Sequence, residues 1–386
     1  MGGGSVNQTI HLIAPFHNVP AARFSACAFA SKAKRFASVM KPLGYRVVEY
    51  SNEGSESAAD EHVVMLTEPE RLALIPGGQP QVGCHGWKVF GGRLSAEMAT
   101  RVKPRDVIAY TYGATFSFLV SLFKEASHVE TGVGYLDRSF GARRIYESEA
   151  WRHYHWGLAD RDGSTREEDK NRAYSWVIPM SFDVEEWPIG DGRGLPGGRP
   201  YVLVMGRVSK GFATFAEIVK GWERRHPGDG LVFRYASGDP RAEFDRLATE
   251  HGIAPHVASG RVEWLGPVLG TDRAVLAGGA RAMLMPTDTN YVEPFGASGV
   301  EGMLTGTPLI TADWGAFTET VSEESGFRCR VLADWLDAVD GAAALDRKSV
   351  ARTARARFSM ERAGVLYDRA FMQLSSLWGD GWKTAS

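Results

Sequence analysis

Two series of alternating strand and helix patterns run along this chain, and they constrain its fold more than any other feature. In the first series, an apolar run at residues 9–14 is followed by apolar residues at helical spacing from Phe29 to Met40. Gly44 ends that helix, and residues 45–50 form the next predicted strand. A strand, a helix and a second strand in this order are typical of the βαβ unit, which builds parallel sheets.

A segment rich in turn-forming residues separates the two series. Residues 187–200 contain three prolines and five glycines, and this density predicts a linker. Before it, the remaining pattern predicts strands at 62–66, 106–111 and 128–131, a helix at 143–156 and a strand ending at 177–179. After it, the pattern predicts strands at 201–205, 231–236, 262–265, 282–285 and 308–311, and helices at 212–225, 241–251, 272–278 and from 297.

These patterns predict an α/β fold with two Rossmann-like domains that face a cleft between them. The predicted boundaries are 1–186 for the first domain and 187–365 for the second. Residues 366–386 are predicted to form a helix that packs back on the first domain. Parallel sheets bind ligands beyond the carboxyl ends of their strands, so a cleft between two such edges suits a reaction of two substrates.

The overall composition excludes several classes of protein. The 386-residue chain has a net charge of −2, which does not suit a protein whose whole surface binds nucleic acid. The three cysteines are far apart and include no C-x-x-C spacing, so we expect neither a disulfide framework nor a cysteine-bound metal. No apolar run approaches the roughly 18 residues that span a bilayer, and the first residues lack a signal-peptide pattern. We therefore expect a cytoplasmic location.

The motif with the clearest chemistry lies in the second series, between the predicted strands at 282–285 and 308–311. Glu293 is predicted to lie on a loop, Gly296 at the start of a helix and Glu301 within its first turns. Glycine allows a ligand to approach the backbone closely, and a helix N-terminus favours a phosphate or sugar oxygen. The Glu301 carboxylate can accept two hydrogen bonds from neighbouring hydroxyls, and Glu293 can reach the other end of the same ligand.

Residues 287–321 resemble the donor-site signature of the retaining GT-B glycosyltransferases, in particular those of family 4. That signature has two glutamates in an E-x7-E arrangement, a Phe-Gly pair at the start of a helix and a following Gly-x-Pro turn. The resemblance implies that Glu301 binds the ribose of a nucleotide-sugar donor and that Glu293 contacts the hydroxyls of the donor sugar. It also implies that the donor accepts hydrogen bonds from three consecutive backbone N–H groups, those of Phe295, Gly296 and Ala297.

The first strand of the second series ends in a further match to the same family, in which this strand is followed by Gly-Arg and then by Lys-Gly. The matching residues are Gly206, Arg207, Lys210 and Gly211. The resemblance implies that Arg207 and Lys210 bind the donor diphosphate and stabilise the charge on the leaving phosphate. The loop is shorter than is usual in the family, so Lys210 could instead cap the following helix. Gly266 matches a turn that lies near the nucleotide base in the family.

The first half of the chain matches the family less well. Its loop at 15–20 lacks the glycines that many relatives carry after the first strand. His17 in this loop is a candidate catalytic residue, and the alternative is a loop histidine without a role. Residues 128–135 and 146–151 resemble glycosyltransferases encoded by bacteriophages and environmental viruses, for which the location would be the host cytoplasm. Within the second of these segments, Glu147 and Trp151 could line the acceptor side. The favoured alternative is that these positions belong to the core, as aromatic residues at helical spacing usually do.

Basic residues are concentrated at the start of the chain. Residues 1–48 contain no Asp or Glu and six basic residues, namely Arg23, Lys32, Lys34, Arg35, Lys41 and Arg46. A basic surface would suit an anionic acceptor such as DNA, a phospholipid or a phosphorylated glycan. The alternative is a solvated helix face that is balanced by the acids of residues 49–70.

The family resemblance implies a retaining, metal-independent transferase that moves a hexose, by default glucose from UDP-glucose, to an acceptor hydroxyl. A hydroxymethylated pyrimidine in DNA, a glycan and a lipid are the candidate acceptors. Asp160-Arg161-Asp162 spells the D-x-D metal motif of another glycosyltransferase fold, but its polar surroundings indicate solvated charges, and we expect neither a metal nor another cofactor. Two other classes stay open, a nucleotide-sugar epimerase and a non-catalytic nucleotide-sugar-binding protein.

Overall fold

The computed structural model describes residues 8–24, 27–78, 81–137, 140–161, 175–195 and 198–376. Its strands are β1 Thr9–Ile13, β2 Arg46–Ser51, β3 Glu61–Val64, β4 Val107–Tyr110, β5 Ser127–Val133, β6 Arg143–Tyr146, β7 Trp176–Val177, β8 Tyr201–Met205, β9 Val232–Ala236, β10 Val262–Gly266, β11 Ala282–Met285, β12 Leu309–Ala312 and β13 Gly326–Cys329. Its α-helices are α1 Ala28–Met40, α2 Glu68–Leu74, α3 His85–Ala99, α4 Leu119–Leu122, α5 Glu149–Arg161, α6 Phe212–Arg225, α7 Arg241–Glu250, α8 Ala254–Ala258, α9 Thr271–Gly279, α10 Ala297–Leu304, α11 Phe317–Thr320, α12 Leu332–Gly341, α13 Arg347–Phe358 and α14 Met360–Ser376.

The described residues pack as two units. The first unit comprises residues 8–147, 152–182 and 360–376, apart from the gaps given above. The second unit comprises Ser148–Trp151 and Asp183–Ser359. The division between the units therefore falls a few residues before each of the two boundaries placed on the sequence, and helix α14 belongs to the first unit.

The strands of the first unit pair in parallel, in the order β3-β2-β1-β4-β5-β6-β7. Strand β4 is buried along its whole length, which is the pattern of a parallel strand covered on both faces. On one face, α1 packs against α14, and the ring of Phe36 lies 5.3 Å from the ring of Tyr367. The ring of Phe371, also on α14, lies 5.8 Å from that of Tyr45. This aromatic contact fixes the last described helix to the first sheet.

The second unit has a sheet of its own, whose strands also pair in parallel, in the order β10-β9-β8-β11-β12-β13. Helix α6 buries its apolar residues at helical spacing, among them Phe212, Phe215, Val219 and Trp222. The predicted helix at 212–225, the predicted strand at 282–285 and the predicted helix start at Ala297 are confirmed by α6, β11 and α10.

The prediction of one helix over residues 143–156 is wrong. Residues Arg143–Tyr146 form strand β6, which pairs with β5, and the helix begins only at Glu149. The Arg144 side chain donates to the buried carboxylate of Glu130 on β5 at 2.7 Å, so a tertiary ion pair overrides the helical spacing of the nearby aromatic residues. The helix then extends to Arg161, into the polar segment that contains Asp160 and Arg161, and residues 162–174 lie outside the described residues.

Strand order in the second sheet determines which loops come together. Strands β8, β11 and β12 are neighbours, and in a parallel sheet their carboxyl ends lie at one edge. The loop after β8 contains Gly206 to Gly211, and the loop after β11 contains Glu293 to Gly296. The two sequence motifs of the second half therefore meet at this edge of the sheet.

Candidate functional site

The first turn of α10 is tied to the end of β8. The hydroxyl of Ser298 donates to the carbonyl oxygen of Met205 at 2.7 Å. Helix α10 begins at Ala297, and its N-cap residue, Gly296, has no side chain that could cap the helix. The amide end of this helix therefore faces the loop that starts at Gly206, where a phosphate or sugar oxygen would be favoured.

Lys210 and Glu293 form an ion pair at this edge of the sheet. The Lys210 ammonium nitrogen Nζ lies 2.9 Å from Glu293 Oε2, and the Glu293 side chain is only 9% exposed. The same ammonium lies 4.7 Å from the centre of the Tyr291 ring. Burial disfavours the charged ammonium, but the attraction of Glu293, assisted by Tyr291, outweighs burial and raises the pKa of Lys210. The pair presents one cation and one carboxylate side by side.

Arg207 has a different partner. Its Nε donates to Asp239 Oδ1 at 3.1 Å, while 73% of its side chain stays exposed. Asp239 also accepts hydrogen bonds from the Val208 backbone N–H and the Ser237 hydroxyl, at 2.8 and 3.1 Å. Asp239 thereby holds the guanidinium through Nε and one terminal nitrogen, while most of the Arg207 side chain remains accessible to a ligand.

The Phe295-Gly296-Ala297 segment contributes its main chain, rather than its side chains, to this edge of the sheet. Phe295 is buried, and its ring packs against Phe358 with centroids 5.5 Å apart. Gly296 has φ 85° and ψ 49°, in the left-handed region. A Cβ at Gly296 would lie 2.5 Å from Phe317 Cε1, so only glycine fits here. This conformation brings the chain into the first turn of α10.

Two glycines in the loop after β8 have opposite surroundings. A Cβ on Gly211 would lie 1.9 Å from the carbonyl oxygen of Pro286, which shows how closely this loop approaches the end of β11. Gly206 instead has open space where a Cβ would lie. Together with Arg207 and Lys210, these glycines line a recess of about 290 Å³ in the second unit.

Glu301 is held by a residue that no motif predicted. Its side chain is 8% exposed, and Arg273 on α9 binds its Oε2 through both Nε and a terminal nitrogen, the former at 3.1 Å. Gly266, the predicted base-side residue, ends β10 with φ 72° and accepts a hydrogen bond from the Ser237 N–H at 3.0 Å. The loop that starts at Gly266 leads directly into α9 and Arg273.

His17 lies in the first unit, on the loop after β1, and is buried. Its ring lies 5.1 Å from the ring of Tyr112, which follows β4. Within the described part of the chain, its Nδ1 has no hydrogen-bond partner. Burial, reinforced by the nearby Arg71, lowers the pKa of His17 to about 4. The imidazole is therefore neutral near pH 7.

A second ion pair lies in the first unit, between Lys32 of α1 and Glu147, which follows β6. The ammonium nitrogen lies 2.6 Å from Glu147 Oε1 and donates to the Gly132 carbonyl at 2.8 Å. Only 10% of the Lys32 side chain and 4% of the Glu147 side chain are exposed. The pair lines a recess of about 410 Å³ that also contains Arg35 and Ser181.

The other basic residues near the start of the chain are largely neutralised by acids of the first unit. The ion pairs are Lys34–Glu56 at 3.6 Å, Lys41–Asp60 at 3.1 Å and Arg46–Glu61 at 2.6 Å. All three acids belong to the segment 49–70. These pairs match the alternative in which the basic residues belong to a solvated, charge-balanced face.

A comparison with known protein families finds a match to the second unit. Residues 199–347 match the family model described as "Glycosyl transferases group 1". This segment is similar to the glycosyl transferases of group 1. The matched range contains each of the predicted donor-site residues, from Gly206 to Glu301.

A relative of known name matches part of the chain. D-inositol 3-phosphate glycosyltransferase from Nocardia farcinica is 30% identical over 193 residues, which are 46% of this chain and 41% of that protein. The chain therefore matches less than half the length of this relative.

Solved structures resemble the chain over nearly its whole length. Sucrose-phosphate synthase from Thermosynechococcus elongatus superposes with a TM-score of 0.65 at 19% identity, covering 96% of this chain and 100% of that one. Anabaena HepE in complex with UDP and glucose gives a TM-score of 0.63 at 15% identity, covering 96% and 100%. At these identities the likeness shows the fold. The predicted fold class, α/β with the two Rossmann-like units of GT-B glycosyltransferases, is confirmed.

Within the matched segment, the structure brings some of the predicted residues together and gives others separate partners. Lys210 and Glu293 are in contact. Arg207 binds Asp239, and Glu301 binds Arg273. The roles that the family resemblance implies for these residues stay predictions.

Sequence reasoning missed several residues that hold the site. Asp239 follows β9, which is the neighbour of β8 in the sheet. Its position just after the carboxyl end of a predicted strand could have indicated from the sequence that it lies near the site. Ser148 donates to the Pro294 carbonyl at 2.7 Å, next to Glu293. Neither Ser148 nor Arg273 has a sequence signal, because each contact depends on the tertiary fold.

The first two residues of the D-x-D sequence, Asp160 and Arg161, are the last residues of α5. The helix ends at Arg161, and Asp162 lies outside the described residues. In the part of the chain that the structure describes, no group of three or more His, Cys, Asp or Glu side chains could hold a metal ion. None of the described helices combines the length and the apolar character needed to cross a bilayer.

Proposed function

We propose that this protein is a retaining glycosyltransferase that moves a hexose from a nucleotide sugar, by default glucose from UDP-glucose, to an acceptor hydroxyl. The observation that carries the proposal is the Lys210–Glu293 ion pair at the carboxyl edge of the second sheet. It lies in the segment that matches the group 1 glycosyl transferase model, beside the open space at Gly206 and the N-terminus of α10, whose N-cap residue is Gly296.

The donor diphosphate would bind where positive charge is concentrated. The Lys210 ammonium and the exposed Arg207 guanidinium supply full charges, and the amide end of α10 supplies a partial one. Glu293 would accept hydrogen bonds from the sugar hydroxyls, and Glu301 from the ribose. Each donor–acceptor contact with a charged group stabilises the complex by about 1.5–3 kcal/mol.

These groups suit the departure of a nucleoside diphosphate. The bond between the anomeric carbon and the diphosphate oxygen would break, and a bond from that carbon to the acceptor oxygen would form. The acceptor proton would pass to the departing diphosphate, whose growing negative charge Lys210 and Arg207 would stabilise. Most of the rate enhancement would then come from positioning and electrostatics, without a covalent intermediate on a side chain.

The choice of UDP-glucose rests on family resemblance, supported by the structural likeness to a protein whose solved complex contains UDP and glucose. For the acceptor, the first unit offers the recess beside Lys32 and Glu147, which Arg35, Thr131 and Ser181 also line. A buried carboxylate next to an ammonium can bind a hydroxyl through both groups. We therefore propose a small polyol or sugar as acceptor, in keeping with the name of the inositol phosphate glycosyltransferase relative.

The proposal is tested in two stages. The protein is first screened by thermal shift against UDP-, ADP- and GDP-sugars, and the donor that stabilises it is then supplied in labelled form. The acceptor panel contains inositol phosphates, sugar phosphates, free sugars, a glycan, a lipid extract and hydroxymethylated DNA. Label that appears in a sugar or polyol product supports the proposal. Label in DNA restores the hydroxymethylated pyrimidine as the acceptor and excludes the small-acceptor assignment.

The same assay separates the alternative functions. Conversion of the donor sugar into an epimer without any acceptor indicates a nucleotide-sugar epimerase. Donor binding without hydrolysis, transfer or epimerisation indicates a non-catalytic nucleotide-sugar-binding protein. Either result contradicts the proposed transferase.

A further inference from the structure

Arg273 binds only one of the two oxygens of Glu301. Both its Nε, at 3.1 Å, and a terminal nitrogen donate to Oε2. The described residues donate no hydrogen bond to the other oxygen, Oε1. The carboxylate is therefore held from one side, and one acceptor oxygen is left for another donor.

The location of the pair shows that it is not an ordinary surface ion pair. The Glu301 side chain is 8% exposed and that of Arg273 is 20% exposed. Glu301 lies in α10, whose N-terminus faces the recess at Gly206, and Arg273 lies in the first turn of α9, after the loop that begins at Gly266. A carboxylate so little exposed is stabilised and oriented by a cationic partner. The planar guanidinium can provide two donors to one oxygen in a fixed geometry.

We propose that Arg273 is a positioning residue of the donor site, which holds Glu301 through Oε2 so that Oε1 accepts a hydrogen bond from one ribose hydroxyl. The pair would thereby make the site select ribonucleoside diphosphates over their deoxy forms. This inference rests on the proposed function, since it assumes that Glu301 faces the ribose of a nucleotide sugar. It adds a residue that lies outside the sequence motif and assigns separate roles to the two oxygens.

The experiment compares binding of a nucleoside diphosphate with binding of its 2′-deoxy and 3′-deoxy forms. Wild-type protein is titrated by calorimetry with UDP, ADP and GDP, and the base that binds most tightly is used for the deoxy pair. The variants are Arg273→Ala, Arg273→Lys and Glu301→Gln. The control is Arg246→Ala on α7, an arginine of the same unit that pairs with Glu243 and Glu250 at the surface.

The wild type should bind the ribonucleotide about tenfold more tightly than at least one deoxy form, since one hydrogen bond to a charged group is lost. Arg273→Ala should weaken ribonucleotide binding about tenfold and bring the ratio between ribo and deoxy forms close to one. Arg273→Lys keeps the charge and should restore part of this ratio, and Arg246→Ala should leave it unchanged. A purely structural role would alter melting temperature without changing the ratio between the two ligands.

Two results would overturn the inference while the proposed function stands. In the first, Arg273→Ala keeps the wild-type ratio between the affinities for the ribo and deoxy forms. In the second, Arg273→Ala binds the ribonucleotide more tightly than the wild type does, which would mean that Arg273 competes with the ligand for Glu301. If Arg273→Ala does not fold, Arg273→Lys and Glu301→Gln test the same ratio, and an unchanged ratio in both overturns the inference. Wild-type protein that binds none of UDP, ADP and GDP contradicts the proposed function, and the inference with it.

Discussion

Lys210 Nζ lies 2.9 Å from Glu293 Oε2, although 83 positions separate the two residues in the sequence. The contact exists because Lys210 follows β8 and Glu293 follows β11, and these strands are neighbours in the second sheet. A cation and a carboxylate that point to the same place can bind the diphosphate and the sugar of one ligand. The pair therefore joins the two motifs that the sequence offers separately.

Replacing Lys210 by Ala should lower kcat more than it raises the donor KM. The ammonium would stabilise charge that grows on the departing diphosphate, and loss of one such group lowers kcat about 10²–10³-fold. Steady-state kinetics with the donor found by thermal shift would measure both constants. The control is Lys220→Ala on α6, which removes a lysine of similar exposure, 28% against 31%, paired with Glu217 at the surface. Equal kinetic effects in the two variants would contradict the assignment.

Replacing Arg207 by Ala should lower kcat with little change in stability. The Arg207 side chain is 73% exposed, and Asp239, which is 9% exposed, keeps its hydrogen bonds from Val208 and Ser237 when Arg207 is removed. Loss of the ion pair should therefore lower the free energy of unfolding by only about 0–1 kcal/mol. Urea denaturation and steady-state kinetics on the same preparation would separate the two effects. Arg241→Ala, which removes an exposed arginine that pairs with Asp245, serves as the control. Full turnover by the Arg207 variant would exclude it from the diphosphate site.

Gly206→Ala and Gly296→Ala should fail in different ways. Gly206 has open space for a methyl group, so this variant should fold normally and raise the donor KM because the methyl enters the recess. Gly296→Ala forces a left-handed conformation on alanine and a clash with Phe317, and should lower the free energy of unfolding by about 1–3 kcal/mol. Denaturation curves and donor KM values for both variants test this contrast. A destabilised Gly206 variant with normal KM would contradict it.

The stability of the protein should depend on His17 below pH 6.5. Burial and Arg71 lower the pKa of His17 to about 4 in the folded protein, so between pH 6.5 and 4 only the unfolded chain gains a proton at this site. The free energy of unfolding must therefore fall as the pH falls, by about 3 kcal/mol relative to a variant without this group. Urea denaturation of the wild type and of His17→Gln, from pH 7 to 4, measures that difference. His155 also has a lowered pKa, but it is present in both proteins and therefore contributes equally to both stability curves. Parallel stability curves would show that His17 titrates normally.

The sequence was informative where apolar residues recur at a regular spacing or where a short motif has a fixed order. The periodic apolar residues of 212–225 predicted α6, and the order of Glu293, Gly296 and Glu301 predicted a loop, a helix start and a carboxylate in the helix. The same reasoning failed at residues 143–146, where aromatic residues at helical spacing favoured a helix. There the strand is stabilised by Arg144 and its ion pair with Glu130, a contact that spacing along the chain does not encode.

By itself, the sequence determined the alternation of strands and helices, the two-part organisation and the order of Glu293, Gly296 and Glu301. These features depend on the propensities and spacings of neighbouring residues. Only the tertiary structure decided the pairs Lys210–Glu293, Arg207–Asp239 and Arg273–Glu301. It also placed Lys32 beside Glu147 and neutralised much of the basic segment at the start of the chain. The physical reason is that strand order and helix packing bring distant residues together, whereas a periodic pattern specifies only which face of an element is buried.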